Sequence, residues 1–111
     1  MHWTTLERLR IYMGENDRYE GKPTHEHLVR RASESGLAGA TALRGMMGYG
    51  GHKQIHTAKI LVLSGEMPVI VEIIDRAGKL ESFCQENAAA LSTVLVTRDS
   101  VSAWVRENPG E

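Results

Sequence analysis

The run of residues 69–74 constrains the fold of this chain more than any other feature. β-Branched apolar residues fill five of its six positions, and Glu72 is the one interruption. Such a run predicts a central strand that is covered on both faces. Because the chain has 111 residues and only 5% of them are aromatic, we expect aliphatic helices to cover one face. We expect other copies of the chain to cover the second face, because a domain this short has a marginal core.

Hydrophobic periodicity and turn residues predict the other elements around this strand. The predicted order is a strand at residues 8–13, a helix at 24–35, a strand at 40–47, a β-prone stretch at 57–63, the strand at 69–74, a helix at 80–91 and a strand at 93–97. Pro23 and Gly36 are expected to bound the first helix, and Asp75 is expected to be the N-cap of the second. The order βαββαβ is that of a ferredoxin-like α+β domain, an antiparallel sheet with two helices on one face.

The chain shows no repeat, low-complexity segment or linker, so we expect a single domain over residues 1–111. Residues 48–57 are expected to form a long loop that is mobile in the free protein, because the glycines there are accompanied by few aliphatic residues. Residues 98–111 are expected to form a C-terminal tail that adds at most a short edge strand or turn.

The composition argues against several classes of function. The 13 Lys and Arg residues against 14 Asp and Glu give a formal net charge of −1, whereas nucleic-acid binders usually carry a basic excess. Cys84 is the only cysteine, so an internal disulfide and a thiolate zinc cluster are excluded, and its apolar helical surroundings predict a buried, reduced thiol. The first residues lack a signal-peptide pattern, and the longest apolar stretch, residues 67–71, cannot span a bilayer. We therefore expect a cytoplasmic protein without direct membrane insertion.

Glycines cluster after the second predicted strand, four of them within seven positions. Glycine lets backbone N–H groups approach an anion closely, and flanking basic side chains supply positive charge. The ligand-binding residues predicted here are Arg44, Gly45, Gly48, Gly50, Gly51 and His56. The alternative is a mobile hairpin connection whose basic residues are only solvated.

The first loop carries a second polar cluster, from which Arg18 or Lys22 is a candidate to reach a cleft between subunits. The alternative is ordinary turn chemistry, because Asn and Asp side chains bond their own backbone. Within the apolar run, Glu72 is expected to pair with an arginine on an adjacent strand, such as Arg10.

The sequence offers no pattern for metal binding or for catalysis. His52 and His56 have a metal-ligand spacing if they lie on a helix, but the neighbouring glycines argue against a helix. No nucleophile–base arrangement stands out, and an apolar helix face raises the pKa of a thiol such as Cys84. We therefore assign no catalytic residue and no metal ligand.

Several separated motifs between about residues 6 and 99 resemble one family. They are residues 9–15 (LRIYMGE), 21–23 (GKP), 36–45 (GLAGATALRG), 48–50 (GYG), 55–57 (IHT) and 67–75 (MPVIVEIID). The chain resembles the PII-like family of uncharacterised proteins, domain of unknown function 190. This resemblance implies a PII-like homotrimer with a long loop between its second and third strands.

The resemblance also implies how such a protein works. PII proteins bind nucleotides in clefts between subunits and contact enzymes or transporters through the long loop. The residues that correspond to a partner-contacting loop are Tyr49, His52, Lys53 and Gln54. One departure concerns the ligand: PII proteins hold ATP phosphates with a glycine-rich turn before the last strand, whereas residues 87–92 here contain no glycine.

These observations predict a trimeric regulatory protein rather than an enzyme. Its clefts are expected to bind a small anionic metabolite, with an adenine nucleotide among the candidates, and its loop is expected to signal to a membrane transporter or an enzyme. Two alternatives stay open: a metal-handling protein of the type found in the CutA copper-tolerance family, and an enzyme that uses the same clefts.

Overall fold

The computed structural model describes residues 1–48 and 67–106. The elements within them are β1 (His2–Gly14), β2 (Arg18–Tyr19), β3 (Lys22–Pro23), α1 (Thr24–Glu34), β4 (Gly39–Arg44), β5 (Pro68–Asp75), α2 (Ala77–Glu86), α3 (Ala88–Leu91) and β6 (Leu95–Val105). The main sheet has the order β4-β5-β1-β6, and all of its neighbours are antiparallel. This is the ferredoxin-like arrangement, so the predicted fold class is confirmed.

Strand β5 alternates strictly between buried and partly exposed residues. Val69, Val71 and Ile73 are 5% exposed or less and lie under the helices, whereas Ile70 and Ile74 lie on the opposite side. We call that opposite side the open face. The prediction that both faces of this strand are covered therefore holds for one face in a single copy of the chain.

The core lies between the sheet and the helices. Leu28 of α1 and Leu80 and Phe83 of α2 are at most 1% exposed, and they belong to one buried cluster with Leu9 and Ile11 of β1. Fully burying a side chain of this size stabilises the fold by about 1.5–3 kcal/mol. The core is thus aliphatic with a single phenylalanine, as the composition predicts.

Strands β1 and β6 are longer than predicted, and they pair from His2 opposite Val105 to Tyr12 opposite Leu95. Much of the expected C-terminal tail is therefore strand. Val101, Ala103 and Val105 alternate there with the exposed Ser102 and Trp104, but none of these side chains is fully buried, so the pairing depends mainly on main-chain hydrogen bonds. We call this pair of strands the β1–β6 ribbon. Near its outer end, the rings of Trp3 and Trp104 meet edge to face with centroids 5.2 Å apart.

The first helix ends as predicted, and its start is close to the prediction. Pro23 is the N-cap of α1 rather than a residue of its first turn. At the other end, Gly36 has a φ of 72°. The N–H groups of Gly36 and Leu37 donate to the carbonyls of Ser33 and Ala32, at 3.1 Å in both cases. This is the Schellman arrangement, which needs a residue with a positive φ after the helix.

The second predicted helix differs in two ways. It consists of α2 and α3, which are separated at Asn87, and its N-cap is Arg76 rather than Asp75. Asp75 is fully buried, and its carboxyl oxygens accept hydrogen bonds from the N–H groups of Ala38 at 2.9 Å and Arg76 at 2.6 Å. The side chain points into the core side of the sheet, so it joins the start of β4 to the start of α2 instead of capping the helix.

The second predicted strand ends at Arg44 rather than at residue 47. Met46 and Met47 follow it and are 91% and 73% exposed. The predicted stretch at residues 57–63 and the last residues of the tail, 107–111, lie outside the described residues. Among the helices of residues 1–48 and 67–106, none is long and apolar enough to cross a membrane.

Replacing the buried Asp75 tests its structural role. Asp75→Ala leaves the N–H groups of Ala38 and Arg76 without their acceptor, and we expect it to lower the free energy of unfolding by about 3 kcal/mol. Asp75→Asn keeps one acceptor oxygen and should cost less. The measurement is urea denaturation followed by circular dichroism, with Glu86→Ala at an exposed position at the end of α2 as the control. Equal stability of the Asp75→Ala and Glu86→Ala variants would contradict this role.

Candidate ligand-binding site

The ends of three strands meet at one edge of the sheet. Gly14 at the end of β1 lies opposite Pro68 at the start of β5, and Arg44 at the end of β4 lies opposite Val69. We call this place the strand-end site and define it by Gly14, Glu15, Arg44, Gly45, Met67 and Pro68. It contains Arg44 and Gly45, the first two residues of the predicted glycine-rich motif.

Glu15, directly after β1, contacts the residue that precedes β5 and the last residue of β4. Its N–H donates to the carbonyl of Met67 at 2.8 Å, and its Oε1 accepts from the N–H of Met67 at 3.4 Å. Its Oε2 forms an ion pair with the guanidinium of Arg44. One carboxyl group thus links the ends of β1, β4 and β5.

Gly45 packs directly against Pro68. Its N–H donates to the carbonyl of Pro68 at 2.7 Å, and a Cβ at Gly45 would lie 2.9 Å from Cγ of the proline ring. That distance is shorter than real Cβ contacts, and a proline ring has little freedom to move away. Only glycine fits this position without a shift of the backbone.

The first loop continues from the same edge of the sheet. Gly14 N–H donates to Oδ2 of Asp17, and Asp17 N–H donates to the carbonyl of Gly14, both at 3.1 Å. After this turn, β2 and β3 form a short hairpin that carries Arg18 and Lys22, and both residues are exposed. The turn chemistry expected of Asp17 is present, and this turn positions the hairpin that carries the two basic residues.

The hairpin turns through two residues with positive φ, Glu20 at 49° and Gly21 at 80°. Two central residues of this kind are typical of a type I′ turn, which matches the twist of paired strands. The rings of Tyr19 and His27 are 4.8 Å apart and hold the hairpin against α1. The hairpin is therefore an ordered support for its basic side chains.

The predicted site residues divide into two groups. The structure places Arg44, Gly45 and Gly48 at the end of β4 and after it, and Arg18 and Lys22 on the hairpin. The remaining predicted residues, Gly50, Gly51, His56, Tyr49, His52, Lys53 and Gln54, lie outside the described residues. Glu15 was missed by the sequence reasoning, and its place directly after a strand-ending glycine is the only local signal for it.

The chemistry available at the strand-end site is that of anion binding. A guanidinium has five N–H donors in a planar fork, so Arg44 is suited to bind a carboxylate or phosphate group through paired hydrogen bonds. The Arg44 side chain is 65% exposed, whereas that of Glu15 is 24% exposed. Arg44 is therefore the group that a ligand from solvent would meet.

Cys84 has the features of a structural thiol. It is partly buried and packs against the core rather than being fully enclosed as predicted. Burial raises the pKa of the Cys84 thiol, with a smaller contribution from Glu81. A thiol that resists ionisation is a poor nucleophile, in agreement with the sequence interpretation.

The structure also bears on metals and on the missing glycine turn. Over residues 1–48 and 67–106, no three His, Cys, Asp or Glu side chains are placed to hold a metal ion together.

The segment at residues 87–92 contains α3, and Ala90 belongs to the buried core. It forms a packed helical turn where PII proteins have a phosphate-contacting glycine turn.

The open face of the sheet combines charged pairs with apolar side chains. Arg8 binds Asp99 through two hydrogen bonds of 3.1 and 2.6 Å, and this contact lowers the pKa of the Asp99 carboxyl. The predicted pair of Arg10 with Glu72 is present, with Nε and Oε2 3.2 Å apart. The apolar residues around these pairs are Leu43, Ile70, Ile74, Tyr12 and Leu95, of which Leu43 and Leu95 are 47% and 50% exposed.

Comparison with solved structures defines the class of fold. The chain is similar to CPII, a nitrogen regulatory PII-like protein from Thiomonas intermedia K12, which was solved with ADP, AMP and bicarbonate bound. The TM-score is 0.63 at 11% sequence identity, and the match covers 94% of this chain and 100% of CPII. The fold is therefore PII-like.

Comparison of sequences places the chain within a family. A UPF0166 protein of Aquifex aeolicus (strain VF5) is 45% identical over 78 residues, which are 70% of this chain and 74% of the relative. A second UPF0166 protein of that organism is 30% identical over 96 residues, 86% of this chain and 94% of the relative. The model of DUF190, described as Uncharacterized ACR, matches residues 6–103. The chain belongs to the DUF190 family, as the resemblance of its motifs implies.

The close contact between Gly45 and Pro68 yields a test of the strand-end site. Gly45→Ala forces a Cβ into the proline ring, and we expect a loss of about 1–3 kcal/mol in the free energy of unfolding. Gly39→Ala is the matched control, because a Cβ at Gly39 meets nothing within 4 Å. Chemical denaturation of both variants measures the difference, and equal stabilities would show that the site tolerates a side chain at Gly45.

Proposed function

We propose that this protein is a PII-like regulatory protein that binds a small anionic metabolite at the strand-end site and signals its presence to a partner. The observation that carries the proposal is the exposed guanidinium of Arg44, held at the meeting point of β1, β4 and β5 beside the backbone of Gly45. The arrangement provides positive charge and hydrogen-bond donors, which are the groups that recognise phosphate and carboxylate. Regulation rather than catalysis is proposed because the similar protein CPII is a nitrogen regulatory PII-like protein.

The ligands of the similar protein CPII support an anionic ligand. ADP, AMP and bicarbonate are all anions, although they differ greatly in size. In our proposal the exposed Arg18 and Lys22 of the hairpin add positive charge near the same edge of the sheet. Gly48, Gly50, Gly51 and His56 complete the proposed ligand-binding set, and an adenine nucleotide is one candidate ligand.

A homotrimer is the proposed assembly, with the open face of the sheet directed at the other copies. Leu43 and Leu95 leave apolar surface exposed at two strands of this face, and burial of apolar surface is what stabilises association. The paired charges of Arg8 with Asp99 and Arg10 with Glu72 can enter such an interface already neutralised. The proposed ligand sites then lie in clefts between subunits.

The partner is proposed to be an enzyme or a membrane transporter, and the protein is proposed to act in the cytoplasm. Its contacts are assigned to Tyr49, His52, Lys53 and Gln54, which follow the strand-end site in the sequence. Because these residues lie so near Arg44 along the chain, a ligand bound there is well placed to influence what they contact.

Arg44 provides the test of ligand binding. Arg44→Met removes the charge-assisted hydrogen bonds, and we expect the affinity for ADP or inorganic phosphate to fall about 10- to 100-fold. Isothermal titration at fixed salt measures the affinity, and Arg30→Met, an exposed arginine on α1, is the control. An unchanged affinity in Arg44→Met would overturn the proposed site, and stabilisation by copper or zinc but by neither anion would favour a metal-handling protein.

Leu95 provides the test of the assembly. Leu95→Asp places a charge on the open face opposite Tyr12, so we expect a trimer to dissociate towards monomers. Multi-angle light scattering at micromolar concentration measures the mass. Ala77→Asp, at an exposed position on the helical side, should leave the trimer intact. A monomeric mass for the unmodified protein would disprove the proposed assembly.

A further inference from the structure

Glu15 joins the end of β1 to the residue before β5 and to the end of β4. Its N–H and Oε1 bind the backbone of Met67, and its Oε2 binds Arg44. The backbone contacts hold the carboxyl group in place, and its side chain is only 24% exposed. Arg44 is the more accessible member of the pair.

The carboxyl group of Glu15 occupies the kind of position that an anionic ligand would need. It is a carboxylate, and it is bound to the Arg44 guanidinium, which is the group that binds the ligand in the proposed function. A second anion that approaches Arg44 meets a charge that is already compensated, and the like charge of Glu15 repels it. Full engagement of Arg44 by a ligand therefore requires Glu15 to give up its ion pair.

We propose that Glu15 is an internal competitor for the anion site: it binds Arg44 when the site is empty, and an anionic ligand binds by displacing it. This inference rests on the proposed function, because it assumes that anions bind at Arg44. Glu15 is a positioning residue, since it acts through Arg44 and not through contact with the ligand.

Displacement has a structural consequence at the start of β5. The carboxyl group that leaves Arg44 is also the acceptor for the N–H of Met67, so its movement weakens the 3.4 Å contact there. Ligand occupancy at the end of β4 is thereby coupled to the ends of β1 and β5. Coupling of this kind is reciprocal, so whatever holds Glu15 on Arg44 must weaken anion binding to the same extent.

The competition sets the size of the expected effect. An ion pair between partly exposed side chains is weak, and its loss changes a competing equilibrium by about two- to fivefold. Removal of the charge of Glu15 should therefore raise the affinity for an anion by about that factor. A residue with only a structural role would leave the affinity unchanged or lower it when substituted.

The decisive variant is Glu15→Gln, which keeps the length of the side chain and an acceptor for Met67 but removes the charge. The full-length protein is titrated with ADP and with inorganic phosphate at fixed ionic strength, because salt screens such pairs. We expect about two- to fivefold tighter binding of both probes. Glu34→Gln, which breaks the exposed pair with Arg31 on α1, is the control and should change nothing.

A double-mutant cycle connects the effect to Arg44. In the Arg44→Met background, Glu15→Gln should lose most of its gain, because only the screened repulsion between Glu15 and the anion is then relieved. Glu15→Asp, which keeps the charge on a shorter side chain, is expected to give a smaller gain than Gln. It also carries the test if the Gln variant does not fold.

The outcomes separate this inference from the proposed function. If Arg44→Met weakens binding while Glu15→Gln and Glu15→Asp leave it unchanged or weaker, the anion site stands and the competitor is wrong. A gain that persists undiminished in the Arg44→Met background also overturns the competitor. If Arg44→Met has no effect, or if the unmodified protein binds neither probe, the proposed site fails and this inference fails with it.

Discussion

Strands β1 and β5 pair antiparallel from Glu7 opposite Asp75 to Gly14 opposite Pro68, and the other elements are positioned by this ladder. The two strands occupy the centre of the sheet, so each has a neighbour along both edges. Alternate residues of both strands form the sheet side of the core, and α1 and α2 pack against these residues. The same register decides what lies at each end. One end holds the buried Asp75 with its two N–H donors, and the other end holds the strand-end site.

Position along this ladder explains why two carboxyl groups have different roles. Asp75 is enclosed, and it serves the backbone at the junction of β5 and α2. Glu15 lies just beyond the opposite end, where the sheet meets solvent, so its partner is the side chain of Arg44 as well as backbone. A buried acceptor of backbone hydrogen bonds is costly to move, whereas an exposed ion pair exchanges partners easily. The ligand response that we propose therefore lies at the end with Glu15.

The sequence predicts the parts of the fold that depend on local or periodic signals. The apolar residues 69–74 predict β5, and Gly36 predicts the end of α1, because each of these signals lies within the element itself or directly beside it. The length of β6 is not predictable in this way, since its outer half has only a short alternation of partly buried residues and is stabilised by pairing with residues 2–6, at the other end of the chain. Asp75 shows a related limit: an Asp before a helix normally caps it, but the fold brings Ala38 within hydrogen-bond distance of this one. Within the candidate site, Arg44 and Gly45 were predicted because they adjoin a glycine motif. Glu15 was not, because its partner Arg44 is 29 residues away.

The pair of Trp3 and Trp104 determines what optical spectroscopy of this protein can report. These are the only two tryptophans of the chain, and they face each other near the end of the β1–β6 ribbon, with 66% and 53% of their surface exposed. Their intrinsic fluorescence and near-ultraviolet dichroism therefore describe the ribbon, which can fray while the buried cluster around Phe83 remains intact. Unfolding followed by tryptophan emission and unfolding followed by backbone dichroism need not coincide in such a molecule. A difference between the two curves would then be explained by the position of the indoles and would not by itself indicate a folding intermediate.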